Sequence, residues 1–208
     1  MTEGKDVRKA FFTDLWQKYP ESSPQTVGWG SEESQKVRFR VLAGVGEMRG
    51  SSILDVGCGF GDFLKYLWWT GVRPESYVGI DMMEKTISEA WKIHAADREH
   101  AAENVRFTCG NFLEWESPER FDYVIASGIF SIKTADWRSN VEEVLGKMYS
   151  MADRGVAVNF LSAMHEPKIE TSMYAEPREI LAMALVISER VTLIHGYRLN
   201  DFTVYIRK

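Results

Sequence analysis

Between Ser52 and Leu67 the chain reads Ser-Ile-Leu-Asp-Val-Gly-Cys-Gly-Phe-Gly-Asp-Phe-Leu-Lys-Tyr-Leu, with glycine at Gly57, Gly59 and Gly61 and an acid, Asp55, two residues before the first of them. Glycine at that density lets a turn take positive φ and lie against a ligand with no Cβ in the way. The spacing bears on which ligand. Dinucleotide-binding turns read Gly-x-Gly-x-x-Gly, and their third glycine seats a helix whose N-terminus holds a pyrophosphate. Here the third glycine comes one residue early, and a carboxylate at Asp55 repels a pyrophosphate while attracting a cation such as an ammonium group. A second run, Tyr77-Val78-Gly79-Ile80-Asp81-Met82, follows. It reads as a strand ending in an acid, placed to accept hydrogen bonds from two ribose hydroxyls.

A ribose beside an ammonium, with no phosphate to hold, describes S-adenosyl-L-methionine. In this light the sequence resembles the class I S-adenosylmethionine-dependent methyltransferases. The matching segments are Leu54 to Gly61, Gly79 to Met82, Phe107-Thr108-Cys109-Gly110-Asn111-Phe112, and Phe121 to Gly128, in family order. The resemblance implies an α/β, Rossmann-like class I methyltransferase fold: a seven-stranded, mostly parallel sheet with an antiparallel C-terminal hairpin and helices on both faces. It implies that Asp55, Gly57, Cys58, Gly59 and Gly61 line the cofactor, that Asp81 holds its ribose and that Met82 lies against the adenine. Asn111, where many members have aspartate, takes the exocyclic amine through its amide oxygen, and the backbone N–H of Phe112 meets a ring nitrogen. Ser127 lies beside the transferable methyl. S-adenosyl-L-methionine is the expected cofactor and S-adenosyl-L-homocysteine its product. No metal is expected, because methyl transfer from a sulfonium depends on alignment and no His/Asp/Glu cluster stands at ligand spacing.

These residues need strands and helices to place them. Ile53–Val56, Tyr77–Asp81, Val105–Cys109, Phe121–Ala126 and Val156–Leu161 read as strands. Val191–Tyr197 and Phe202–Ile206 read as a closing hairpin whose strands, joined by a short turn, are antiparallel. Ser31 reads as the N-cap of a helix reaching about Met48. Lys85–His100, Asn140–Met151 and the stretch opened by Pro177 read as further helices, with His94 and His100 expected at the surface. Phe11, Phe12, Leu15, Trp16 and Tyr19 give the first segment an apolar face, which either packs on the edge of the domain or acts as a lid.

The acceptor side has weaker signals. Trp29 stands between two glycines; it either plugs the core edge or forms a wall of the site, where an indole face attracts a cation. Arg38 either reaches a carboxylate of the cofactor or acceptor or is paired structurally. Phe130, in the loop after the fourth strand, is expected beside the acceptor. Asn159 either orients an acceptor group or ties down a neighbouring loop. The polar stretch 162–176, long enough to suggest function, contains His165, a candidate base, and Tyr174, a candidate for orienting the acceptor. Enzymes that methylate amide or base amino nitrogens often carry Asn/Asp-Pro-Pro-Tyr/Phe after the fourth strand, and Ala126-Ser127-Gly128-Ile129 does not match.

Length and charge bound the rest. A chain of 208 residues, 45% hydrophobic, suits one domain: an N-terminal helical cap over 1–49 and a cofactor-binding core over 50–208. A net charge of −5 offers no electrostatic attraction to a phosphate backbone, so nucleic acid is disfavoured as a partner. Cys58 and Cys109 read as reduced thiols, and no apolar run is long enough for a membrane span. A cytoplasmic monomer or homodimer is expected, transferring a methyl group to N or O of a small-molecule acceptor. A methyltransferase acting on a protein or RNA, and a non-catalytic S-adenosylmethionine-binding regulator, are the alternatives.

Overall fold

The structure is a computed structural model that describes residues 2–20, 23–96, 104–164, 166, 168–198 and 200–208. Helix α1 (Thr2–Lys18) and a single 3-10 turn (Pro24–Val27) precede α2 (Glu32–Ala43), β1 (Ser52–Val56), α3 (Asp62–Trp69), β2 (Ser76–Asp81), α4 (Glu84–Ala96), β3 (Val105–Cys109) and β4 (Phe121–Ala126). Then come α5 (Trp137–Met151), β5 (Ala152–Leu161), α6 (Pro177–Ile187), β6 (Val191–His195) and β7 (Asp201–Arg207). The seven strands form one sheet in the order β3-β2-β1-β4-β5-β7-β6. All pairs from β3 to β5 are parallel, and β7 is antiparallel to both β5 and β6. The last strand therefore inserts between β5 and β6 and alone runs against the rest.

Alternation along each strand divides the core into two layers. On β4, Tyr123 and Ile125 face Phe39 and Leu42 of α2 and Phe63 and Leu67 of α3. Val124 and Ala126 face Val141, Leu145 and Met148 of α5 and Ile180 of α6. A sheet covered on both faces needs apolar residues on both, which explains the unbroken hydrophobic runs of the central strands. The chain winds outward through β1, β2 and β3, then returns to β4 beside β1. That reversal opens a crevice beyond the carboxyl ends of β1 and β4, where open α/β sheets bind ligands.

The structure departs from the sequence reading at several points. Helix α2 is capped by Ser31, whose hydroxyl accepts from Ser34 N at 3.2 Å, but it ends at Ala43. Gly44 and Gly46 interrupt it, and the Tyr123 ring occupies the space a side chain on Gly46 would need. Val45 and Met48 are buried all the same. Strand β5 starts at Ala152, where Arg120 donates to the Ala152 carbonyl at 2.9 Å and extends the pairing with β4. His94 is a correction, because it is buried. Its Nε2 lies 3.0 Å from the Phe60 carbonyl and its ring packs on Phe107 and Trp68. It falls on the inward face of α4 with Ile87 and Ala90. His100 lies outside the described residues.

Candidate active site

The glycine turn is fixed by the strand beside it. Gly57 N and Cys58 N both donate to the Ile80 carbonyl, at 2.8 and 3.1 Å, and Gly61 N donates to Cys58 O at 2.9 Å. Gly57 has φ of 71°, and a Cβ there would lie 2.2 Å from Cγ2 of Ile129. Gly61, at φ 75°, is backed by His94 and Phe107, which a Cβ would meet at 2.5 and 2.8 Å. Side chains are excluded at both positions by conformation and by space, so the turn presents bare backbone to the crevice.

Three carboxylates gather at this end. Asp81 spans the turn and the strand end: Oδ2 accepts from Gly59 N at 3.1 Å and Oδ1 from Met83 N at 2.9 Å. Each oxygen has capacity for a further bond, and Asp81 lines the cavity. Burial raises its pKa, against the opposing pull of those backbone N–H groups. Asp55 accepts a hydrogen bond from the Tyr77 hydroxyl. Burial pushes its carboxyl up to about 7, with Tyr77 opposing the shift and Asp81 and Asp62 adding to it. Asp62, at the start of α3, accepts from Gln35 Nε2 at 2.9 Å, and burial raises its pKa too. Asp62 was legible as the residue after the last glycine of the turn; Gln35 had only its place in the helix after Ser31 to suggest it.

The rim beyond β2 and β3 carries Met82, Asn111 and Phe112, all on the cavity wall. Asn111 closes its own turn, its Oδ1 accepting from Leu113 N at 3.2 Å and its Nδ2 donating to Glu114 at 2.9 Å. Among the described residues nothing accepts from the Phe112 N–H. Ser127 Oγ is likewise buried and lacks a partner. Donors left open around a cavity are what a ligand with acceptor atoms satisfies.

After β4 the chain bends at Gly128, whose N–H donates to Asn159 Oδ1 at 2.8 Å. Asn159 thus ties the β4 loop to β5, and its Nδ2 has no partner among the described residues. The bend turns Ile129 toward the glycine turn and Phe130 away from it. Phe130 is therefore not a wall of the cavity: it is 3% exposed and stacks on Phe160 at 5.2 Å with the rings 3° apart. Trp29 does line the cavity, beside Gly128 and with the Arg38 guanidinium 5.0 Å from its ring. Arg38 also lines it but is structurally paired, with Nε and Nη2 on Asp201 Oδ1 at 3.0 and 2.9 Å.

The segment 162–176 folds back on the sheet. Ala175 N donates to Leu161 O at 2.8 Å and Met173 N to Ser131 O at 2.8 Å. Tyr174 lines the cavity, but its hydroxyl accepts from Ile169 N at 2.9 Å and so braces this segment. His165 lies outside the described residues. Helix α1 lies over the opening: Trp16 Nε1 donates to Thr86 on α4 at 3.2 Å, while Arg8, Phe11 and Phe12 line the cavity from above. The cavity volume is about 540 Å³, in the range of small-molecule sites. Among the described residues no cluster of three or more His, Cys, Asp or Glu could hold a metal, and no helix is long and apolar enough to cross a membrane.

Comparison with known proteins bears on this cavity. A family model described as a methyltransferase domain matches residues 47–191. Over 164 residues the chain is 30% identical to Rv1506c of Mycobacterium tuberculosis, a protein provisionally named a methyltransferase, with 76% of this chain and 93% of that one covered. Among solved structures, the complex of DhpI with SAM and HEP superposes with a TM-score of 0.70 at 14% identity, covering 100% and 99% of the two chains. Magnesium protoporphyrin IX methyltransferase (ChlM) from Synechocystis PCC 6803 with bound SAM gives 0.68 at 17% identity, covering 99% and 97%. At such identities the two structures speak for a common fold.

Proposed function

The chain belongs to the class I S-adenosylmethionine-dependent methyltransferase family, and from that premise we propose that it methylates N or O of a small molecule held in the cavity between the glycine turn and segment 162–176. The residues present fit the cofactor. Asp81 offers one open lone pair on each oxygen to the two ribose hydroxyls. Asp55 supplies a carboxylate for the ammonium, and the open Phe112 N–H faces an adenine nitrogen with Met82 beside the ring. Ser127, with its unpartnered hydroxyl, lies at the tip of β4, toward the acceptor side. When bound, the cofactor supplies an electrophilic methyl group on a positively charged sulfur. The protein's own part is to hold an acceptor in line with it and keep water out. Phe11, Phe12 and Trp29 give the cavity its apolar roof, and the Asn159 Nδ2 donors are placed to orient an acceptor heteroatom. Tyr174, whose hydroxyl accepts from Ile169 N, supports the wall and keeps its own O–H to orient an acceptor.

The observation that carries a small acceptor is the size of the cavity and the helix over its opening. A space of about 540 Å³ under α1 suits a whole small acceptor beside the cofactor. The test is to incubate the protein with methyl-labelled S-adenosylmethionine and a cell extract, then separate filtrate from retained macromolecules. Label in the filtrate is expected; label confined to retained protein or RNA overturns the small-molecule reading, and binding with no transfer to either fraction makes the chain a regulator.

A further inference from the structure

Of the charged side chains around the cavity, Arg8 reaches in from α1 with Asp136 at 4.0 Å, and the others divide by sign and place. Asp55, Asp62 and Asp81 belong to the β1–β2 end, whereas Arg38 and Arg198 come from the side of β5 and β7. In the sheet β7 stands three positions from β1, about 14 Å at the usual strand spacing. The tip of β4, with Ser127, lies between the two ends.

At the β7 end Asp201 is fully buried behind the two arginines. Arg38 spends its donors on the protein, with Nε and Nη2 on Asp201 and Nη1 on Ser34. It is a strut, with its guanidinium 5.0 Å over the Trp29 ring. Arg198 is different. Its Nε lies 3.2 Å from Asp201 Oδ2, an ion-pair distance without hydrogen-bond alignment. Its planar fork has no aligned acceptor among the described residues, although it borders the cavity. Two guanidinium groups share one carboxylate, which leaves a surplus positive charge beside an apolar wall. The Arg198 side chain stands at the cavity rim, 41% exposed, and a guanidinium fork matches the two oxygens of an oxyacid.

We propose that the acceptor carries an anionic oxyacid group, a carboxylate or a phosphonate, anchored by Arg198 at the end of the cavity remote from the glycine turn. This rests on the methyltransferase reading above and narrows its acceptor class. The cavity is then bipolar, its acidic end facing a cationic cofactor and its basic end an anionic acceptor, with the reacting centre between them. The nucleophile is a separate N or O on the same molecule.

The test uses the full chain saturated with S-adenosylhomocysteine, titrated with a set of small carboxylic acids, each matched to its primary amide and its phosphonate. Acids are expected to bind at least about tenfold tighter than their amides, the effect of a charge-assisted bidentate contact, and the better of carboxylate and phosphonate identifies the anion. Arg198→Gln should abolish that preference and leave the affinity for S-adenosylhomocysteine unchanged, while Arg198→Lys keeps part of it as a point charge. The fold should tolerate both changes, because Asp201 retains Arg38. Amides binding as well as acids, acids failing to bind the saturated protein, or Arg198→Gln weakening S-adenosylhomocysteine itself each overturn the proposal. Failure of S-adenosylhomocysteine to bind the wild type instead removes the reading beneath it.

Discussion

Tyr77 donates its phenolic hydroxyl to the carboxylate of Asp55, joining the start of β2 to the carboxyl end of β1 just before the glycine turn. Both residues are buried, and they face the layer that holds Ile53 and Phe63. The bond favours the charged carboxylate, yet burial outweighs it, so the carboxyl titrates at about 7 and the tyrosine far above its ordinary value.

A dependence on pH follows. The Asp55 pKa is about 7 in the folded chain against 3.8 for the unperturbed group. Below 3.8 both states are protonated and the difference costs nothing. As pH rises from there to about 7 the unfolded chain sheds its proton first, so Asp55 lowers stability progressively and the loss levels off above 7. Asp55→Asn is expected to remove this decline, seen as a smaller loss of urea midpoint between pH 5 and 8. Cofactor affinity moves the other way. It should tighten as Asp55 ionises toward pH 7 and fade as the α-amino group loses its proton near 7.7–8.0. Titrations across that range should show the acidic limb in the wild type and not in Asp55→Asn.

Asp81 holds the turn and presents the ribose acceptors at once. Asp81→Ala is expected to weaken S-adenosylhomocysteine by about 3 kcal/mol or more, roughly a hundredfold, through loss of two hydrogen bonds to a charged group. Circular dichroism should show the variant still folded. Unchanged affinity in a folded variant would remove Asp81 from the cofactor site.

Gly57 is constrained twice, by its φ and by Ile129. Gly57→Ala is expected to cost at least about 1–3 kcal/mol of stability from backbone strain alone, with the Ile129 clash added. Combining it with Ile129→Ala should recover the steric part and leave the strain, so the double variant should melt between Gly57→Ala and the wild type. Full recovery would mean that φ at position 57 does not matter.

His94 supports the turn from behind by meeting the Phe60 carbonyl. His94→Ala leaves that carbonyl buried without its partner, a cost of about 1–3 kcal/mol, and also removes the wall behind Gly61. Weaker S-adenosylhomocysteine binding with partial rescue by His94→Gln would mark a positioning role. Equal loss of stability in both variants, with affinity intact, would mark a residue of the core only.

Local patterns carried most of the fold. The strands, the turn at Gly57–Gly61 and the closing hairpin are written in periodicity and spacing over a few residues, and the resemblance ordered them. What escaped depends on distant partners or on one dihedral angle. Arg38 meets an aspartate 163 positions away, which no local pattern reveals. Phe130 and Ile129 are neighbours of equal apolarity, and the bend at Gly128, with φ of 80°, decides which of them sees the cavity. His94 did have a local signal, its helical spacing from Ile87 and Ala90, but a titratable side chain among charged residues reads as solvated. The cavity's basic end was invisible because Arg198 sits in a hairpin turn and Asp201 at the first position of the strand that follows it, where polar residues are the rule.

The most direct test of the account is calorimetric titration of the purified protein with S-adenosylmethionine, S-adenosylhomocysteine and NAD in parallel. Binding of the first two at one site per chain, without NAD, is the predicted result. Binding of NAD with neither of the others would contradict the assignment of the glycine turn, of Asp55 and Asp81, and of the chemistry built on them.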